Sequence, residues 1–369
     1  MKKRITLICT VAVLIILALS GLYFYKVNTR NAVEQFISND IMINILIAGS
    51  NSYNDNRHKF YSILSIQPGT KKIGLIFLPP NLSINLDKRK QEYKRIDEVD
   101  ISDFDSLSES LFHETKLKIP FYVVLYSPDV ERIVDLIGGL DLYVLGQVKN
   151  IHGIKHGINY FDGAKTMQYL NSAEENSIYI KYDRIEDILL TLFSNKAKHK
   201  KFFNIEFISE AIKSIKTNLL AQEIVTLAGL LYDDKADVLC TILPGTFTDN
   251  GLYQMDNISY KLYEKEFLQK LMQKNQNEQS VKIKILNGTD VPGLAMKTRA
   301  FLIREGLNVI EFGTSPDPFQ KNSVVICQKG EIGPAKKVAE LLSISRIYHI
   351  VDSTQLNNVL LIIGTDMAK

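Results

Sequence analysis

The sequence predicts an α/β protein: a membrane-anchored, three-layer αβα domain followed by a small α/β domain of βαββαβ order. Three observations carry that reading. A charge-free run from Ile5 to Phe24 follows Met1-Lys2-Lys3-Arg4; strand-like and helical patterns alternate from Met42 to Leu271; and a polar, unperiodic stretch, Gln273 to Ser280, precedes a last segment with its own strands and helices.

The first run sets the placement of everything after it. Its twenty residues, at a rise of about 1.5 Å each, span roughly the 30 Å of a bilayer core. Lys2, Lys3 and Arg4 are expected to stay cytoplasmic, with Tyr23, Phe24 and Tyr25 at the far interface. A cleaved signal peptide would show a shorter apolar core and an A-x-A-like site, of which Ser20-Gly21-Leu22 is a poor version. The expected organisation is therefore tip and anchor over 1–26, stalk over 27–41, a first domain over 42–272, a linker over 273–280 and a second domain over 281–369. Both domains are expected outside the cytoplasmic membrane on this single pass.

In the first domain, MINILIAGS (42–50) reads as a buried strand. KFYSILSI (59–66), the turn Gln67-Pro68-Gly69-Thr70 and KKIGLIFLPPN (71–81) read as a hairpin, which must leave its sheet at Pro79 because proline has no backbone donor. SLSESLFHE (106–114) reads as a helix with Ser106 and Glu109 as a capping box. FYVVLYS is a strand, DVERIVDLIGGLDLYV a helix, a Gly-Gly stop and a strand. DGAKTMQYLN, DRIEDILLTLFSNKAKHKKFF and a stretch near Ala221–Tyr232 read as helices. In the second domain VKIKIL alternates strictly, Asp290 is expected to cap a helix from about Pro292 to Gly306, and LNVIEFG, SVVICQKG, PAKKVAELL and NNVLLIIG complete a ferredoxin-like order.

With 46% hydrophobic and 23% charged residues the chain is neither disordered nor fibrous, and 44 basic against 41 acidic residues is too balanced for a nucleic-acid binder. Cys240 and Cys327 fall in different domains and are read as buried free thiols. The carboxylate cluster Asp97 to Asp105 lacks the glycine and bidentate glutamate of a calcium loop and reads as a solvated helix start. Gly153 and Gly157 argue against a helix that would align His152 and His156 on a metal, and the run Lys196 to Lys201 reads as a solvated helix end.

Several stretches together carry a resemblance. NILIAGSNS, paired strands ending in proline, FYVVLYSPDVERIVDLIGGLDLYV and the G-x-x-x-x-D-G-A-x-x-x-x-Y-L spacing of GINYFDGAKTMQYL resemble the LytR-CpsA-Psr family of envelope proteins. ILNGTDVPGLAMKTRAFLIREGLNVI with a terminal VLLIIGTD resembles the LytR C-terminal domain. The resemblance implies a transferase that moves a glycopolymer from a polyprenyl-pyrophosphate lipid to peptidoglycan. A long apolar pocket would house the lipid, while arginines and an aspartate-held magnesium would neutralise the pyrophosphate.

The charged positions depart from that pattern. The family's G-S-D has Asn51; its R-S-D-T is Arg57-His58-Lys59-Phe60; its P-R-D is Pro79-Pro80-Asn81; its K-I-N is Arg95-Ile96-Asp97; its R-x-R is Asn171-Ser172-Ala173. Its D-x-x-R-I-E-R-Q is Lys181 to Ile188, which keeps Arg184 and Ile185-Glu186. Two metal-holding carboxylates thus become Lys59 and Lys181, a charge reversal. The expectation is a non-catalytic binder of polyprenyl-linked or wall glycans, with no catalytic residue, no metal and no cofactor. Arg57, Lys59, Arg95, Lys181 and Arg184 are its candidate anion or pyrophosphate ligands. Expected partners are a polyprenyl-phosphate lipid or envelope glycan, the membrane through the N-terminal helix, and peptidoglycan as a further candidate; no nucleic acid is expected. An active transferase with a rearranged site is the alternative, so whether the chain is an enzyme stays open.

Overall fold

The computed structural model describes residues 31–54, 58, 60–87, 89–90, 92–145, 151, 153–172, 178–194, 204–233, 236–273, 281–317, 319–352 and 354–368. The predicted anchor, His152, the 196–201 basic run and nearly all of the linker lie outside the described residues. Among those described, no helix is long and apolar enough to cross a membrane.

Helix α1 (Ala32–Ser38) starts at Asn31, whose side chain accepts the Glu34 N–H at 2.8 Å. β1 (Ile43–Ser50), β2 (Phe60–Gln67) and β3 (Lys72–Leu78) run antiparallel in sequence, the last two as the predicted hairpin. Two short strands, β4 (Ser83–Ile84) and β5 (Lys94–Arg95), pair beyond β3. α2 (Phe104–Thr115) is capped by Asp103, which accepts the Ser106 N–H at 3.3 Å. The expected Ser106 cap is therefore corrected: two 3-10 turns from the acidic cluster lead into the helix and start it earlier.

β6 (Phe121–Tyr126) joins β1 in parallel, and α3 (Ser127–Leu136) stops at Gly138 and Gly139, both at positive φ. The hairpin β7 (Leu140–Val144) and β8 (Gly157–Phe161) follows, then α4 (Gly163–Asn171), α5 (Ile178–Ser194), α6 (Ile205–Ala211), β9 (Lys216–Thr217) and α7 (Ala221–Leu231). β10 (Asp237–Ile242), the hairpin β11 (Thr246–Phe247) and β12 (Tyr253–Gln254), and α8 (Asn257–Tyr263), which runs on through a π-turn to Met272, close the domain.

The main sheet has the order β10-β3-β2-β1-β6-β9. Strand alternation divides β1 between its faces: Leu46 and Ala48 meet α2 and α8, while Ile43 and Ile45 meet α1 and α7. α5 lies on the second face over β3, with Tyr182 beside Leu75 and Phe77. All seven β3 residues are buried for this reason, and after Lys72 the run from Ile73 to Leu78 carries no polar side chain. Leu46, Ile63, Ile76, Leu107 and Leu111 are each 0% exposed, so side chains fill the layer between the sheet and α2.

The second domain comprises β13 (Lys282–Asn287), α9 (Leu294–Arg304), β14 (Asn308–Thr314), β15 (Val324–Cys327), α10 (Gly333–Leu341), β16 (Ile347–His349) and β17 (Val359–Ile363). Its sheet order is β14-β13-β17-β15-β16, with β13/β14 and β15/β16 parallel neighbours. This differs from the expected ferredoxin-like arrangement: β13 pairs in parallel with both β14 and β17, and the segment after α10 supplies an additional short strand, β16, at the sheet edge. Gly293, at φ 83°, rather than Asp290 precedes the first turn of α9. One face of the sheet holds α9 and α10. The other packs on the first domain: Tyr143 of β7 sits among Val324, Ile326, Leu360 and Ile362, and Val351 and Ile332 meet Leu190 of α5 and Val238 of β10.

Candidate functional site at the end of β3

At the carboxyl end of β3 the chain turns through Pro79-Pro80-Asn81, and every carbonyl there is used. Pro79 O accepts the Leu82 N–H at 2.9 Å, Pro80 O the Asp97 N–H at 3.1 Å and Asn81 O the Tyr253 N–H at 2.8 Å. The Asn81 amide donates to Gly251 O at 3.3 Å. Asn81 thus joins the strand end to the β11–β12 hairpin, where the matching family element carries an acid.

Beneath this turn lies an aromatic wall. The Tyr182 hydroxyl donates to Leu78 O at 2.8 Å, and its ring stacks on Phe77 at 4.8 Å and meets Phe60 at 6.2 Å. Burial pushes the Tyr182 phenol far above its ordinary value, with Tyr179 and Asp97 adding to the shift. Tyr182 is therefore a structural strut and not a proton carrier at neutral pH.

Of the five candidate anion ligands, Arg57 and Lys59 lie outside the described residues; His58 between them is buried with its ring edge-on to Tyr61 at 5.7 Å. Arg95 grips Asp97 with two bonds, Nε to Oδ1 at 2.9 Å and Nη2 to Oδ2 at 2.6 Å. That bond raises the guanidinium pKa further. Lys181 is half-buried on α5, one residue before Tyr182, whose phenol feels the Asp97 charge. The structure so brings Arg95, Asp97 and the start of α5 to one end of the sheet.

Arg184 goes elsewhere. Its Nη1 donates to Tyr169 O at 2.7 Å and Ser172 Oγ at 2.5 Å, and its guanidinium lies 5.0 Å from the centre of the Tyr169 ring. Ser172 stands within the stretch that matches the family's R-x-R, so an arginine from α5 ends α4 where the family has arginines of its own. Burial pulls the Arg184 pKa below its ordinary value. Sequence reasoning missed both this commitment and the Arg95–Asp97 clasp; the two-residue spacing of Arg95 and Asp97 on a strand end was the signal available for the second. His156 Nε2 lies 3.8 Å from Asp317 Oδ2 of the second domain.

At the described positions where the resemblance implies metal-holding acids, Lys181 is a cation and the Asn81 amide donates a hydrogen bond to Gly251 O. At this strand end Arg95 is paired with Asp97, and the Asn81 amide and carbonyl are committed to Gly251 and Tyr253.

The comparisons with known proteins agree with this architecture. The LytR_cpsA_psr family matches residues 24–282, and a family described as LytR cell envelope-related transcriptional attenuator matches residues 280–366. No curated protein matches. Among solved structures, TagT bound to LI-WTA is similar at 15% identity over 64% of this chain and 93% of its own, with a TM-score of 0.52. A transcriptional regulator from Enterococcus faecalis is similar at 14% identity over 65% of this chain and 91% of its own, with a TM-score of 0.51. At these identities the likeness is one of fold. Since the first family spans well over half of the sequence and the second takes up where it ends, the chain belongs to the LytR-CpsA-Psr family and carries a LytR C-terminal domain.

Proposed function

We propose that this chain is a membrane-anchored, extracytoplasmic protein of cell-envelope assembly that holds a polyprenyl-phosphate-linked or wall glycan without transferring it. The observation that carries the reading is Asn81. At the strand end where the family has an arginine and an acid, its carbonyl and amide are spent on Tyr253 and Gly251. Arg184, the one arginine kept from the last family element, is spent on α4. The solved relative TagT bound to LI-WTA supports the class of ligand. Lys59 and Lys181, in place of carboxylates, favour an anion held without magnesium or any other cofactor, since lysine binds phosphate as a point charge.

The test incubates the full chain with a lipid-linked glycan and peptidoglycan, and separately titrates a pyrophosphate-lipid analogue. No covalent product is expected, and binding should resist EDTA and weaken with salt. Product formation, or binding that strictly needs magnesium, overturns the proposal. Placement is tested by a reporter active only after export, fused behind Lys369; an inactive reporter on a stable, membrane-bound product refutes it.

A further inference from the structure

Beside the β3 end, the β4–β5 and β11–β12 hairpins border a cleft of about 350 Å³ lined by Ser83, Tyr93, Thr248, Asp249, Asn250, Leu252 and Gln254. From this lining we infer a binding site for one or two uncharged sugar rings.

Among the described residues the lining contains no lysine, arginine or histidine, so none of them neutralises a phosphate or a carboxylate. Asp249 is the single carboxylate among these residues, too few for a hard cation, which takes six or more oxygens. Leu252 is the one aliphatic side chain among them, which is too little for a lipid tail. What remains suits a neutral polyol. A sugar presents hydroxyls that both donate and accept, and a face of C–H groups that packs on an aromatic ring.

The cleft supplies both halves. Tyr93 is 57% exposed, a large ring left open to solvent beside polar side chains. Ser83, Asp249 and Gln254 make no side-chain hydrogen bond among the described residues, and the Asn250 amide is free on its nitrogen while its oxygen accepts from Thr248 Oγ1. Amides and hydroxyls of this kind offer donors and acceptors in fixed planes, which match vicinal hydroxyls or an acetamido group. The walls are held in place: Thr248 N–H bonds Leu252 O at 2.8 Å, and Asn81 ties Gly251 to the end of β3. The volume lies at the small end of the usual ligand range of about 300–1,000 Å³.

Position deepens the reading of function given above, on which this inference rests for its biological sense. Ser83 is the cross-strand partner of Arg95. A glycan whose phosphate rests near Arg95 therefore has its first sugars alongside the cleft, so phosphate and sugar are read by separate groups.

The experiment uses saturation-transfer NMR with the full chain, chitotriose and maltotriose as neutral probes, and inorganic pyrophosphate as an independent ligand. Transfer to at least one trisaccharide is expected, falling at least tenfold in Tyr93→Ala and in Gln254→Ala while pyrophosphate binding is unchanged. Phe319→Ala, an exposed position in the second domain, should leave all signals as they are. No transfer to either sugar, or transfer that survives both cleft substitutions, overturns the inference. Pyrophosphate binding retained in that case leaves the anion-site reading standing, whereas its loss with sugar binding intact strikes that reading alone.

Discussion

The Asp187 carboxylate on α5 accepts the Val351 N–H of the second domain at 2.6 Å, while its other oxygen accepts the Tyr169 hydroxyl at 2.9 Å. One buried side chain thus joins α5, α4 and the LytR C-terminal domain. Replacing it by leucine leaves a buried amide and a buried hydroxyl without their acceptor, at a cost of about 1–3 kcal/mol each. Asp187→Leu should therefore lower the denaturation midpoint clearly, and Asp187→Asn, which keeps an acceptor for Val351, should not. Chemical denaturation followed by circular dichroism checks this; equal midpoints for the two variants would show that the bond contributes nothing.

Gly330 makes the same seam sensitive to bulk. A Cβ there would stand 2.4 Å from the Cys240 Cβ and 2.9 Å from Glu186 Oε2, while the Gly330 carbonyl accepts the Cys240 N–H at 3.0 Å. Gly330→Ala should cost about 1–3 kcal/mol by overpacking and loosen the second domain from the first. Limited proteolysis is the measurement: faster cleavage between the domains is expected, and an unchanged digestion pattern contradicts the close approach.

Much of this architecture was legible because burial writes a period into the sequence. β3, covered on both faces, is a continuous apolar run, and β13 alternates because one face meets helices. β10 was not read: it is short, only half-buried, and Asp237, Cys240 and Thr241 break any pattern, since its place at the sheet edge is decided by β3 and by the second domain. Helix starts were misplaced where backbone geometry outranked side-chain signals, as at Asp103 and Gly293. The candidate arginines were found by type, but what they bond depends on folding partners such as Ser172 that lie far outside any local motif.

Arg184 gives a prediction that separates structure from binding. Arg184→Ala removes two charge-assisted bonds to the end of α4 and the stack on Tyr169, and should destabilise by about 1.5–3 kcal/mol. Pyrophosphate affinity, measured at a temperature where the variant is folded, should change less than twofold. A large loss of affinity in a folded Arg184→Lys variant would return this residue to the anion site.

The last prediction concerns pH and rests on three groups in the seam: two acids, Asp187 and Glu186, whose shifts oppose that of His349. Burial raises the Asp187 carboxyl well above its usual range, against the bonds from Val351 and Tyr169; burial, with Asp183 and Asp187 beside it, does the same to Glu186, opposed weakly by Cys240 and Lys329. A raised acid stabilises the fold below its unfolded value, near 4, and loses that contribution as pH rises through the folded value. His349, bonded through Nε2 to Ser194 Oγ at 2.6 Å, is pulled down to about 3 by burial, with Lys336 adding to the shift. Its contribution is complete above pH 6.5 and falls by about 1.4 kcal/mol per pH unit below it. Between pH 6.5 and 4.5 the two raised acids outweigh the one lowered histidine, so the wild-type chain should become more stable on acidification. Asp187→Asn leaves Glu186 alone against His349 and should flatten that gain. His349→Gln, which keeps a partner for Ser194, should instead steepen the gain over the same range. Thermal midpoints for the three proteins across that window provide the measurement, and parallel curves would show that neither buried group governs the docking of the second domain.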